Sequence, residues 1–246
     1  MLLLTPRRFA TRMLPVARTI RAVIFDLFHT LTSLEVSGAP GPSTPEMLGI
    51  EREAWNRLWM SDPDDYVLGS TDIIVPVRRI ARQLNPAVTE EQIQEAVAAR
   101  YGRFRYALTH IEAETLSGLR VLSDLGFRLG LISNCGEDEA KPWPESPLAP
   151  LFHAVLFSCE VKLKKPDRRI YELAAAILGV EPRQCMYVGN GGSDELAGAR
   201  RVGMTAVLLT RHLEVVNLMR IEEVAKDADW QVRTVSDLVA RLASGE

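Results

Sequence analysis

Short apolar runs alternate with longer stretches of helical period along most of this chain. Runs at 21–25, 128–133, 154–158, 185–188, 205–209 and 230–232 are apolar almost throughout and rich in aliphatic residues. They predict buried strands rather than half-exposed ones. Between them, segments 114–125, 168–178, 194–202, 216–225 and 235–242 carry apolar residues at helical spacing, and Gly179 and Gly203 follow two of them as stop signals. The region between the first two runs is different. It opens with a Gly/Pro/Ser-rich loop at 37–45 and then reads as helix at 46–59, near 74–84 and at 89–108. Thr89 followed by Gln92 predicts a capping box for the last of these. The stretch 136–151 contains Pro142, Pro144, Pro147 and Pro150, and reads as a loop stiffened by proline.

Strands alternating with helices predict an α/β fold with a parallel sheet covered on both faces. The roughly 80 residues after the first strand are too long for one crossover. They read as an inserted helical cap. The domain reading is an extension over 1–20, an α/β core over 21–36 and 109–246, and a cap over 37–108.

Composition narrows this picture without redirecting it. The 246 residues are 47% apolar, and the formal charge of −3 is spread along the chain. A sizeable core is expected, with neither a nucleic-acid footprint nor a membrane span. Cys135, Cys159 and Cys185 are far apart. They read as reduced core residues of a cytoplasmic protein. Before Asp26 the chain holds Arg7, Arg8, Arg12, Arg18 and Arg21 and no acidic residue. We read this start as a disordered extension, with an organelle transit peptide as the alternative. The sequence does not set the oligomeric state.

Parallel sheets bind ligands at the carboxyl ends of their strands. There stand Asp26 and Thr30 after the first strand, and Ser133 with Asn134 after the second. Lys164 and Lys165 follow the third, and Asn190, Asp194 and Glu195 follow the fourth. A carboxylate, hydroxyls, an ammonium and an acidic loop could supply a nucleophile, anion binding, charge neutralisation and cation binding to a small-molecule substrate.

The stretches VIFDLFHTLT, LISN, VKLKKPDRRIY and YVGNGGSDELAGA stand in this order along the chain. Together they resemble the four motifs of the haloacid dehalogenase-like hydrolase superfamily. The resemblance implies a Rossmann-like doubly wound core with a small α-helical cap. It makes Asp26 the nucleophile of a covalent aspartyl intermediate, supported by Thr30. Ser133 would bind the transferred group beside Asn134, and Lys165 would hold nucleophile and anion together. Mg²⁺ would be held by Asp26, the main-chain carbonyl of Phe28, Asn190 and Asp194, with Glu195 as the alternative to Asp194.

Two departures matter. Family phosphatases carry an aspartate two residues after the nucleophile, as acid and base, where this chain has Phe28. Dehalogenases of the superfamily carry an aromatic there, because halide leaves without a proton. Asn190 replaces the usual aspartate and removes a charge from the metal loop. His29 could replace the missing acid, although packing is the plainer role. Arg57 is the nearest match to a dehalogenase's cap arginine, with Met60 at that position in another alignment and Arg52 a further possibility. Tyr171 packs or hydrogen-bonds in either subclass. The leading expectation is therefore a phosphatase of small phosphate esters with a weakened acid and metal site. A 2-haloacid dehalogenase is the alternative, and a catalytically impaired binding protein the third reading.

Overall fold

The computed structural model describes residues 20–61, 64–216 and 218–244. The N-terminal extension read over 1–20 lies outside these residues except for Ile20, which is buried in the core. Six parallel strands form one sheet in the order β3-β2-β1-β4-β5-β6. They are β1 (Ala22–Phe25), β2 (Arg128–Ser133), β3 (Ala154–Phe157), β4 (Cys185–Gly189), β5 (Thr205–Leu209) and β6 (Trp230–Val232). The chain runs outward from β1 first on one side and then on the other. The crevice at the ends of β1 and β4 is therefore the topological switch point of the sheet.

The period of two in β1 explains both layers. Val23 and Phe25 join one core with Leu131, Val188 and Leu209, while Ala22 and Ile24 join the other with Tyr187 and Leu208. The first face is covered by α5 (Ala113–Asp124) and α12 (Val235–Ser244), the second by α8 (Arg168–Ile177) and α9 (Glu195–Arg201). Ile24 is fully buried. Burial of such a side chain contributes about 1.5–3 kcal/mol.

Between β1 and α5 stand α1 (Thr44–Met47), α2 (Arg52–Met60), α3 (Ile74–Leu84) and α4 (Glu90–Thr109). They pack Leu48, Trp55, Ile80 and Ile93 into a cluster separate from those of the sheet. The helix predicted over 46–59 is two helices, because the chain turns at Gly49 with a φ of +63°. Thr89 caps α4 by the box expected, with its backbone N–H donating to Gln92 Oε1 at 2.9 Å and its Oγ1 accepting from the Gln92 N–H at 3.2 Å.

The proline-rich stretch after β2 is more regular than predicted. It forms α6 (Glu137–Ala140) and two single 3₁₀ turns. Pro144 and Pro150 lie inside those turns, where their fixed φ is compatible with the backbone. A further short helix, α7 (Ser158–Val161), follows β3. The helix predicted near 216–225 is two pieces, α10 (Leu213–Val216) and α11 (Arg220–Val224). The three cysteines are buried and free. Among the described residues, no helix is long and apolar enough to cross a membrane.

Candidate active site

Asp26 is the first residue beyond β1, and its N–H donates to the Val188 carbonyl of β4 at 2.9 Å. That bond fixes the backbone while the carboxylate, only 6% exposed, borders a cavity of about 340 Å³. The next turn sorts its side chains. Leu27 enters the core, and Phe28 faces the cavity. His29 adopts a φ of +63°, and the chain then turns so that Thr30 Oγ1 donates back to Asp26 Oδ2 at 2.8 Å.

The other carboxylate oxygen belongs to Lys165. Its Nζ donates to Asp26 Oδ1 at 2.5 Å, to Glu195 Oε2 at 2.5 Å and to the Tyr187 hydroxyl at 3.0 Å. An ammonium has three hydrogens, and these partners take all of them. Burial by itself would lower the Lys165 pKa, but Asp26 and Glu195 together carry it above the ordinary lysine value. Glu195 is shifted upward by burial first and then by Asp26, against the pull of Lys165. Burial also raises Tyr187, whose hydroxyl donates to Glu195 Oε2 at 2.7 Å.

Asn134 borders the cavity, with its amide engaged by the backbone of Lys165. Its Oδ1 accepts from the Lys165 N–H at 2.8 Å, and its Nδ2 donates to the Lys165 carbonyl at 2.9 Å. The amide clamps the lysine's backbone. Ser133 is buried at the end of β2 and does not border the cavity. Tyr171 supports the cluster from below, donating to the Glu195 carbonyl at 2.9 Å and packing edge-on to Tyr187.

The four donors expected around Mg²⁺ do not assemble as a cation shell. Asn190 Oδ1 accepts from the Gly192 N–H at 2.8 Å, which fixes the orientation of the amide. Its Nδ2 therefore faces inward, donating to the Phe28 carbonyl at 2.9 Å, with a longer contact to Asp26 Oδ2 at 3.4 Å. A hydrogen-bond donor stands between two oxygens that a cation would need. Asp194 is exposed and away from the cavity. Ser193 and Asp194 both adopt left-handed backbone, at φ 53° and 49°, so the next residue turns inward. That residue is Glu195, 1% exposed, with Oε1 accepting from the Gly191 N–H at 2.9 Å. Gly189 leaves it room, since a Cβ there would lie 2.2 Å from Oε1. No group of three or more His, Cys, Asp or Glu side chains suited to a metal occurs among the described residues.

The helical insert forms the facing wall. Phe28 packs edge-on against Phe104 of α4, with ring centroids 5.0 Å apart, and Trp59 and Met60 of α2 border the same space. Arg57 is exposed and does not border the cavity, although Trp59 and Met60 of the same helix do. Arg52 is exposed and pairs with Glu46 at 3.0 Å.

Behind Phe104 lies a second buried cation, Arg100, over the faces of Phe104 and Trp59. It bonds Asp138 Oδ2 at 3.1 Å, Glu139 and the Tyr66 hydroxyl. Glu139 borders the cavity, and burial raises its pKa to about 7. Sequence reasoning missed Glu139, Phe104, Trp59, Tyr187 and Arg220 as site residues. Only the position of Tyr187 on β4 beside VGNGG offered a signal.

Comparison with known proteins identifies the family. Residues 20–203 match the family model of the haloacid dehalogenase-like hydrolases. The chain is 31% identical over 145 residues to a glyceraldehyde 3-phosphate phosphatase of Methanothermobacter thermautotrophicus, covering 58% of this chain and 61% of that one. It thus spans less than two thirds of that relative's length. It is 28% identical over 200 residues to an (S)-2-haloacid dehalogenase of Burkholderia cepacia, covering 78% of this chain and 84% of that one. A HAD phosphatase from Thermococcus onnurineus superposes with a TM-score of 0.57 at 25% identity, covering 92% of this chain and 99% of that one. With the family model matched over most of its length and a parallel α/β sheet to carry it, the chain belongs to the haloacid dehalogenase-like hydrolase family.

Proposed function

We propose that this hydrolase uses Asp26 to displace a leaving group that departs without a proton, and that a halide on the carbon beside a small carboxylate is that group. The observation that carries the reading is the Asn190 amide donating to the Phe28 carbonyl and reaching Asp26 Oδ2. Phosphoryl transfer draws on a cation at these oxygens and on an acid two residues beyond the nucleophile. Here an N–H and an aromatic ring stand in those places. Displacement at carbon needs neither, and an apolar wall favours it by stripping water from the carboxylate.

In the first step an Asp26 oxygen forms a bond to the carbon, the carbon–halogen bond breaks, and halide leaves with the electron pair. The product is an ester on Asp26, and the buried cluster loses one negative charge. Water then adds to the ester carbonyl, with Glu195, made more basic by burial, taking a proton. Lys165 neutralises the oxyanion. Collapse releases the alcohol with the Asp26 oxygen that first bonded the carbon, while the water's oxygen stays in the restored carboxylate. Of the water's two protons, one goes to the alcohol and one is released. The helical insert acts as a cap that closes the cavity during these steps.

A second reading, hydrolysis of small phosphate esters with Mg²⁺, is supported by the 31% identity to glyceraldehyde 3-phosphate phosphatase. Ion-selective measurement of halide released from short 2-haloacids, with chelator present, tests the first. Phosphate release from an ester panel, with and without Mg²⁺, tests the second. Halide release that Asp26→Asn removes and chelator leaves intact is the expected result. Magnesium-dependent phosphate release without halide release would overturn it.

A further inference from the structure

We infer that Arg220, at the start of α11, is the residue that receives the substrate's own anionic group and so selects anionic over neutral substrates. This rests on the carbon–halogen reading only for the substrate used to test it. The cations near the cavity differ in how many donors they have left. Lys165 has given all three hydrogens to Asp26, Glu195 and Tyr187. Arg100 is held by Asp138, Glu139 and Tyr66, and Arg57 is exposed and outside the cavity. Arg220 borders the cavity beside Gly192 and Ser193, and its one polar contact among the described residues is Nη2 to the Gly191 carbonyl at 3.4 Å. A guanidinium has five N–H donors in a planar fork that matches a carboxylate or a phosphate. Most of that fork is unspent.

The surroundings give the anion a direction. Asp26, Glu195 and Glu139 border the cavity as acidic groups, and Lys165 is already paired with the first two, so the open fork of Arg220 is the favourable place there for an entering anion. The Ser193 hydroxyl borders the same side and is an additional donor. An anion held there lies in the same cavity that Asp26 and the apolar wall of Phe28, Phe104 and Trp59 border. The arginine comes from the core rather than from the helical insert, the place from which a dehalogenase arginine was expected.

The test compares wild type, Arg220→Met and Arg220→Lys with a 2-halocarboxylate and with its neutral 2-haloamide. Arg220→Met should raise KM for the carboxylate about 10- to 100-fold, the loss of one charged hydrogen-bonded contact. It should leave kcat within about threefold. The haloamide's KM should be the same in all three proteins, and Arg220→Lys should recover part of the carboxylate's binding. Equal losses with both substrates, or no change with either, would overturn the assignment. If wild type turns over neither substrate, the carbon–halogen reading falls, and calorimetric titration with a 2-hydroxycarboxylate and with inorganic phosphate decides the question for Arg220 alone. Binding of either anion that Arg220→Met abolishes supports the assignment and shows which anion the site takes. Absent binding, or binding indifferent to the substitution, refutes it.

Discussion

Two buried clusters border the same cavity and are built from the same parts: one cation, two carboxylates and one tyrosine. Lys165 bonds Asp26, Glu195 and Tyr187, whereas Arg100 bonds Asp138, Glu139 and Tyr66. The first ties together the ends of β1 and β4 with the segment after β3. The second ties α4 of the insert to α6 of the core. Their difference lies in what each cation does with its hydrogens. The compact ammonium meets Asp26 at one oxygen and leaves the other to Thr30 and Asn190, so the carboxylate stays at the cavity surface. The flat guanidinium spreads over Phe104 and Trp59 and spends its donors on a clamp between insert and core. The same set of parts thus leaves a carboxylate open to the cavity at the sheet and joins the insert to the core at the clamp.

The sharpest way to break the comparison is to remove Asp26, the carboxylate proposed as nucleophile. Asp26→Asn should lower turnover about 10⁴-fold or more, read from halide or phosphate release. Asp138→Asn, its counterpart in the other cluster, should retain most activity. Equal losses would mean that the clamp, too, takes part in chemistry.

Removing each cation comes next. Lys165→Met and Arg100→Met each leave two buried carboxylates without their partner, and each should cost about 3–5 kcal/mol in denaturant unfolding. The two should separate by protease sensitivity, with cuts appearing within the insert for Arg100→Met alone. A uniform loss of protection in both would erase the distinction between site and clamp.

Acidity tests the clamp without altering its cation. Glu139 is lifted from 4.5 to about 7 by burial, so between those values the folded state holds a proton that the unfolded state has lost. Its contribution to stability is complete below pH 4.5 and declines as pH rises through 7. His212 opposes it, since burial depresses its pKa to about 4 and its contribution, present above pH 6.5, is lost as pH falls to 4. Total stability therefore mixes two slopes of opposite sign. The difference between wild type and Glu139→Gln isolates the first, and should shift against wild type from pH 4.5 to 7. A difference independent of pH would show Glu139 to be ionised throughout.

The smallest effect concerns the tyrosines. Tyr187→Phe and Tyr66→Phe each delete a hydroxyl bonded to a charged group, worth about 1.5–3 kcal/mol in unfolding. Only Tyr187→Phe should also shift the pH profile of turnover, because its hydroxyl touches both Lys165 and Glu195.

Much of this was legible in the chain because it depends on local pattern. The run Ala22–Phe25 is apolar on both faces, which only a sheet covered on both sides accommodates, and Asp26 follows it at the strand's open end. Phe28 and Asn190 could be recognised as departures, since a residue's chemistry is known wherever it lies. The choice between Asp194 and Glu195 was different. One residue along a helix turns a side chain by about 100°, and the phase of α9 is set by the left-handed pair Ser193 and Asp194, which no apolar pattern announces. Arg57 failed as well: its distance in sequence from Asp26 is suitable, yet the α2 residues that border the cavity are Trp59 and Met60.

The sequence by itself determined the α/β fold, the carboxylate at the switch point and the residues missing from a phosphatase site, because periodicity and residue type are local properties. Tertiary structure alone decided which hydrogens are already spent. Lys165 has none left for a substrate, Asn190 turns an N–H toward the Phe28 carbonyl, and Arg220 keeps most of its fork free. Those facts depend on groups brought together from distant parts of the chain, and the satisfaction of a buried donor is a property of the assembled cluster rather than of any one residue.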